Sequence, residues 1–146
     1  MSPFQTKLNG PLQGVMHWRD WDALRARLVA GDDARWHAYA VGEALPEAPL
    51  PPAALKAVLA EIDGLLRRDH GEDYLGIVYV DDLIAPSLIK IYDPNHLGSA
   101  CGSVGFKVLP GWVLSVDAPQ SIETSVPVPG NRRRWWASLG ERLLMG

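Results

Sequence analysis

A single cysteine, Cys101, is all the thiol chemistry the chain holds. That scarcity excludes an internal disulfide and a zinc cage of four thiolates. It also matches a reducing compartment, so a cytoplasmic location is expected. A basic surplus is missing too: the formal net charge is -3, which argues against a general nucleic-acid binder, whose affinity comes mainly from a large cationic surface. The opening "MSPFQTKLNGPLQG" has no apolar run of signal-peptide length, and no stretch of about 18 apolar residues occurs anywhere, so neither export nor a membrane span is expected. No internal repeat is visible. Lysine is scarce beside arginine, four against ten, and alanine is abundant, which points to a GC-rich bacterial genome.

What remains is ordinary globular material. With 47% apolar and 21% charged residues in a length of 146, the chain is expected to form one domain over 1–146, burying about two thirds of its unfolded surface. In "RDWDALRARLVAGDD" the residues Trp21, Leu24 and Leu28 recur at helical spacing, with Asp20 as the expected cap and Gly31 as the expected stop. "RWHAYAV" alternates, Trp36, Ala38 and Ala40 against His37, Tyr39 and Val41, as a half-buried strand would. The proline-rich "GEALPEAPLPP" is a semi-rigid connection.

The second helix is the clearest element, running from Pro52 to a stop at Gly71 with a stripe of Leu55, Leu59, Ile62 and Leu66, widened by Val58 and Leu65. Burying these side chains yields on the order of 10 kcal/mol, but only against a partner surface. That surface is expected from "YLGIVYV" (74–80) and "SLIKIYD" (87–93), an antiparallel hairpin joined by "DDLIAP", followed by "GWVLSVD" (111–117) and "IETSVPV" (122–128). The first of these is almost wholly apolar, which predicts a central strand. Pro127 predicts an edge. Asn131 can cap a last helix carrying Trp135, Leu139 and Leu143. The order α-β-α-β-β-β-β-α predicts an α+β fold, a mostly antiparallel sheet of about five strands with three helices packed on it.

Chemistry-bearing residues concentrate in "YDPNHLGSACGSVGFKVLPGW", residues 92–112. Residues 94–110 form a long connection between strands, and such loops are usually functional or disordered; Leu97, Val104, Phe106, Val108 and Leu109 favour folding back onto the body over disorder. One reading makes Cys101 a nucleophile, His96 its base and Asp93 the group that orients the imidazole. A second gathers Asp93, His96, Cys101 and His37 around a metal, although the spacing matches no established zinc pattern. A third uses the small residues of "GSACGSVGFK", with Lys107, as a cradle for an anion, although the string fails both glycine-rich phosphate templates. The plain alternative is that Cys101 is a small buried apolar residue.

The tail "NRRRWWASLGERLLMG" sets Arg132, Arg133 and Arg134 in the first turn of the expected helix, where the dipole makes cations unfavourable. Something anionic must compensate. The options are internal acids (Glu123, Asp117, Glu72, Asp73, Asp81 or Asp82), a partner protein, since Arg and Trp dominate interface hot spots, or a membrane surface or nucleic acid, which the short basic run and the acidic remainder disfavour. Trp21, Trp36, Trp112 and Trp135 fall on apolar faces and are expected in the core, whereas Trp18 and Trp136 are free to cover a pocket, form an interface or sit on the surface. His17, His37 and His70 have no partner that the sequence identifies.

Together these features predict a binding or adaptor module rather than an enzyme, with no cofactor and no metal. Its expected ligand- or partner-binding residues are Asn95, His96, Ser99, Cys101, Ser103, Lys107, Arg132, Arg133, Arg134 and Trp136. A protein partner or self-association is expected, with a small anionic ligand as a further class and no nucleic acid. The alternative is a cysteine-dependent acyl-transfer or hydrolytic enzyme using Cys101 and His96.

Overall fold

The apolar stripe from Leu55 to Leu66 becomes the inner face of α3 (Pro52–Asp69) in a computed structural model that describes residues 2–31, 35–94 and 109–122. Pro52 stands in its first turn, where a missing N–H costs nothing. The helix closes at His70, whose N–H donates to the Leu66 carbonyl at 2.9 Å, one residue before the expected Gly71. Beside it lies α2 (Trp18–Ala30), burying Trp21, Leu24 and Leu28. This helix starts two residues before Asp20: His17 is the N-cap and makes no side-chain capping bond. Asp20 instead lies in the first turn, where its charge still favours the dipole.

A polar clasp joins the two helices on their outer side. Trp21 Nε1 and Arg67 Nε both donate to Asp63 Oδ1 at 2.9 Å, while Arg25 and Arg67 each donate to Asp22 Oδ1 at 2.6 Å. Arg67 also lies 4.8 Å from the Trp18 ring centroid, and Trp18 Nε1 donates to the Glu72 carbonyl at 3.0 Å. His70 Nε2 donates to the Leu75 carbonyl at 2.7 Å. Trp18 and His70 therefore fasten the turn after α3, with Trp18 half-buried. The exposed ion pairs contribute little each; their use is to fix how α2 crosses α3.

Both helices cover one face of a five-stranded antiparallel sheet, ordered β1 (Gln13–Val15), β3 (Val78–Val80), β4 (Leu88–Ile91), β5 (Trp112–Ser115) and β2 (His37–Ala40). The register sets Val15, Val78, Val80, Ile89, Ile91, Trp112, Leu114, Ala38 and Ala40 on the helix side, and all belong to the main core. The α+β class and the antiparallel sheet agree with the sequence pattern. β3 is interior, with β4 at the middle. Gly76, at φ 68°, makes the left-handed turn that leads into β3.

Two elements were not foreseen, and they change the far face. α1 (Pro3–Leu8) opens with a capping box: Ser2 Oγ accepts the Gln5 N–H at 3.2 Å and Gln5 Oε1 accepts the Ser2 N–H at 3.3 Å. It packs Phe4, with Leu8 and Leu12, onto Tyr39, Val41, Leu88 and Val113. β2 is therefore buried on both sides rather than half-buried: Tyr39 and Val41 are as enclosed as Ala38 and Ala40. β1 supplies an edge strand. The expected strand from Ile122 to Val128 lies outside the described residues beyond Ile122, as does the expected helix after Asn131. No helix among the described residues is long and apolar enough to cross a membrane.

Phe4 is 1% exposed, and a six-residue helix has no stability of its own, so the Phe4 side chain must hold α1 in place. Phe4→Ala is expected to cost about 3–5 kcal/mol in denaturant unfolding. A loss below about 1 kcal/mol, within the range of ordinary surface substitutions, would show that α1 does not pack on the sheet.

Candidate functional site

The long connection begins and ends on neighbouring strands, and hydrogen bonds fix both roots. Gly111 N–H donates to the Ile91 carbonyl at 2.8 Å, Val41 N–H donates to the Gly111 carbonyl at 2.9 Å, and Tyr92 N–H donates to the Ile77 carbonyl at 2.9 Å. Ladder bonding thus continues past the ends of β4 and β5. Asp93, at the outgoing root, is 2% exposed. Asn95, His96, Ser99, Cys101, Ser103 and Lys107 lie outside the described residues, as do Arg132, Arg133, Arg134 and Trp136. Of the residues assigned to a thiol triad, the structure therefore places Asp93 alone.

A metal shell shared by Asp93 and His37 is ruled out by strand geometry. His37 lies level with Ser115 and Leu88 across the sheet, and its Nδ1 is 3.1 Å from the Ser115 carbonyl. Asp93 is five residues further along the strand direction than Leu88, about 17 Å at roughly 3.3 Å per residue. No group of three or more His, Cys, Asp or Glu residues able to hold a metal occurs among the described residues.

Beside the roots, the described residues cover the sheet face opposite α2 and α3 only in part. The row Gly14, Tyr79, Lys90, Val113 and Tyr39 crosses this face. α1 covers its Val113–Tyr39 end, where the Tyr39 hydroxyl accepts the Ile122 N–H at 3.1 Å. At the other end Tyr79, Lys90 and Tyr92 are half-buried. Tyr79 and Tyr92 meet edge to face at 5.8 Å, and Lys90 Nζ lies 5.8 Å from the Tyr92 centroid. Burial lowers the pKa of Lys90. Met16, 51% exposed, stands near the same row. The result is an aromatic and cationic patch running up to the root at Asp93. Its sequence signal was the single Tyr and the single Lys interrupting the apolar runs "IVYV" and "LIKI".

Three of the six acids considered as internal partners for the arginine run are engaged with other groups. Asp117 Oδ2 pairs with Lys7 Nζ at 2.7 Å. Asp81 Oδ1 accepts the N–H groups of Asp82, Ser87 and Leu88 at 2.9–3.0 Å, and Oδ2 accepts the Ser87 hydroxyl. Asp82 Oδ1 accepts the N–H groups of Ile84 and Ala85 at 2.8 and 3.1 Å. The "DDLIAP" loop is thus built around its two carboxylates. Glu72 and Asp73 are exposed beside the clasp, and Glu123 lies outside the described residues.

The arrangement is that of an α+β domain with one face closed by two helices and, among the described residues, the other closed by α1 over its Val113–Tyr39 end. Comparison with protein-family models, with curated proteins and with solved structures gives no match to this chain.

Asp81 carries a pH dependence whose sign follows from its surroundings. Burial opposes its ionisation, but the Ser87 hydroxyl and the N–H groups of Ser87, Leu88 and Asp82 outweigh it, so its pKa lies below the usual carboxylate value. The native pKa is then lower than the unfolded one. Its contribution to stability is complete above the unfolded value, about 3.9, and is lost as pH falls through the native value. Asp81→Asn is expected to cost about 1–2 kcal/mol at neutral pH, and the gap should shrink towards pH 2. A gap of equal size at both pH values would contradict this.

Proposed function

We propose that the chain is a cytoplasmic binding or adaptor module. Its recognition surface combines the 93–111 loop with Arg132, Arg133, Arg134 and Trp136, and its partner is a protein or a second copy of the chain. The observation that supports this reading most is the engagement of three of the candidate acids: Asp117 is held by Lys7, and Asp81 and Asp82 are turned into their own loop. Cations at a helix start need an anion, and these three carboxylates already have other work. The patch of Tyr79, Lys90 and Tyr92 adds a second argument. It abuts the loop root and carries aromatic groups beside a cation, residue types that anchor interfaces.

The experiment compares the chain with a variant in which Arg132, Arg133 and Arg134 are all changed to Ala. Size-exclusion mass over a concentration series and capture of partners are the measurements. The variant is expected to lose self-association or partner capture at least tenfold with an unchanged melting temperature, and unchanged association would overturn the reading. Cys101 alkylation against pH addresses the thiol enzyme separately. Labelling that rises only above about pH 8.5, as for an ordinary thiol, agrees with a binding module, whereas rapid labelling near pH 6 favours the enzyme.

A further inference from the structure

We infer that the part of the sheet face that α1 does not cover is the docking site of the chain's own C-terminal segment, residues 131–146, which lays its stripe of Trp135, Leu139 and Leu143 across Gly14, Tyr79 and the stem of Lys90. This deepens the reading above, because it brings Arg133 and Arg134 beside the root of the 93–111 loop. Contacts within the chain test it, rather than partner capture, so the two fail independently.

The floor of the site is shallow and largely apolar. Tyr79 and Tyr92 meet edge to face at 5.8 Å. A Cβ at Gly14 would stand 3.5 Å from the Tyr79 ring, so that ring leans over β1 into the space a side chain there would take. The Met16 sulfur lies 3.6 Å from the same point, and Met16 is 51% exposed. Lys90 is half-buried beside Tyr92, and its four-carbon stem adds apolar surface while its ammonium reaches outward. The floor spans β1, β3 and β4, two inter-strand gaps or roughly 10 Å. One helix, about 10–12 Å across with its side chains, fills that width next to α1.

The described chain arrives on this same face. Ile122 packs with Phe4, Tyr39 and Val113, and its N–H donates to the Tyr39 hydroxyl at 3.1 Å. Nine residues lead from it to Asn131, a reach of up to about 30 Å, well beyond the width of the floor. Tethering at that range gives an effective concentration in the millimolar range, so a contact of modest strength suffices. The opposite face of the sheet is closed by α2 and α3.

The segment supplies the complement. On a helix, Leu139 and Leu143 fall within about 80° of Trp135, whereas Arg133, Arg134 and Glu141 fall outside that arc. Arg132 lies within it at the first turn and Arg142 borders it; long stems carry both guanidinium groups to water. A helix of this length is marginal alone in water, and its apolar stripe gains stability only when a surface covers it. An indole against tyrosine rings adds the edge-to-face geometry that aromatic pairs favour.

NMR of the full chain with labelled leucine methyl groups tests the docking. The Leu139 or Leu143 methyl protons are expected to show nuclear Overhauser contacts to the Tyr79 or Tyr92 ring, and a mixture of labelled and unlabelled chains filtered for contacts between copies is expected to show none. Leu139→Asp is expected to remove the contacts and to shift the amides of Gly14, Tyr79 and Lys90. It is also expected to speed trypsin cleavage after Arg142 at least tenfold, since cleavage follows the population of the open form, while cleavage after Lys56 in α3 stays unchanged. No contact from these methyl groups to either tyrosine, contacts that arise only between copies, or amides and cleavage unmoved by Leu139→Asp would each overturn the inference.

Discussion

Trp112 is the residue on which the rest of the architecture depends. It is wholly buried, pairs across the sheet with Ile91 on one side and Ala40 on the other, and belongs to the core beneath α2 and α3. Removing so large a side chain from water is one of the strongest single terms available to a small domain. Its position also sets the register. A slip of one residue would turn Trp112, Ile91 and Ala40 to the other face together. Because Gly111 directly precedes it, the same burial fixes where the long excursion returns to the sheet, and the burial of Ile91 fixes where it leaves.

Charge is used locally in this fold. Asp22, Asp63, Arg25 and Arg67 satisfy one another and the indole of Trp21 on the outer side of the helices. Burial opposes ionisation of Asp22, yet the bonds from Arg25 and Arg67, with their charges, lower its pKa. Asp81 and Asp82 satisfy backbone N–H groups and so build a rigid hairpin loop. Lys90 stands apart from this pairing, half-buried beside Tyr79 and Tyr92 on the sheet face opposite α2 and α3.

Much of the fold was legible because its signals are strong and local. The stripe of α3 has period 3.6 over five turns, and the runs around Val78, Ile89 and Val113 are bounded by turn residues, so their types and neighbours could be read directly. The start of α2 was misplaced because Asp20 looks like a cap, while the helix begins earlier, at Trp18, which docks against the turn after α3. β1 has three residues, too few for alternation to register. α1 did carry a sign, the Ser2-Pro3-Phe4-Gln5 capping box, but six residues hold only one buried side chain, and no periodicity emerges. The candidate surface was harder to read. Glycines and a cysteine located the excursion, yet the patch beside its root is assembled from Tyr79, Lys90 and Tyr92 on two strands, and only the β3–β4 register brings them together.

The central claim is that the sheet anchors the excursion's roots as firmly as the core itself, so the surface beside Asp93 and Gly111 is fixed in place. Native-state hydrogen exchange at the Gly111 and Trp112 amides tests it most directly. The account predicts that both exchange only through global unfolding, with opening free energies equal to those of the β4 amides. Exchange through a local opening, at a much lower free energy than β4, would contradict it.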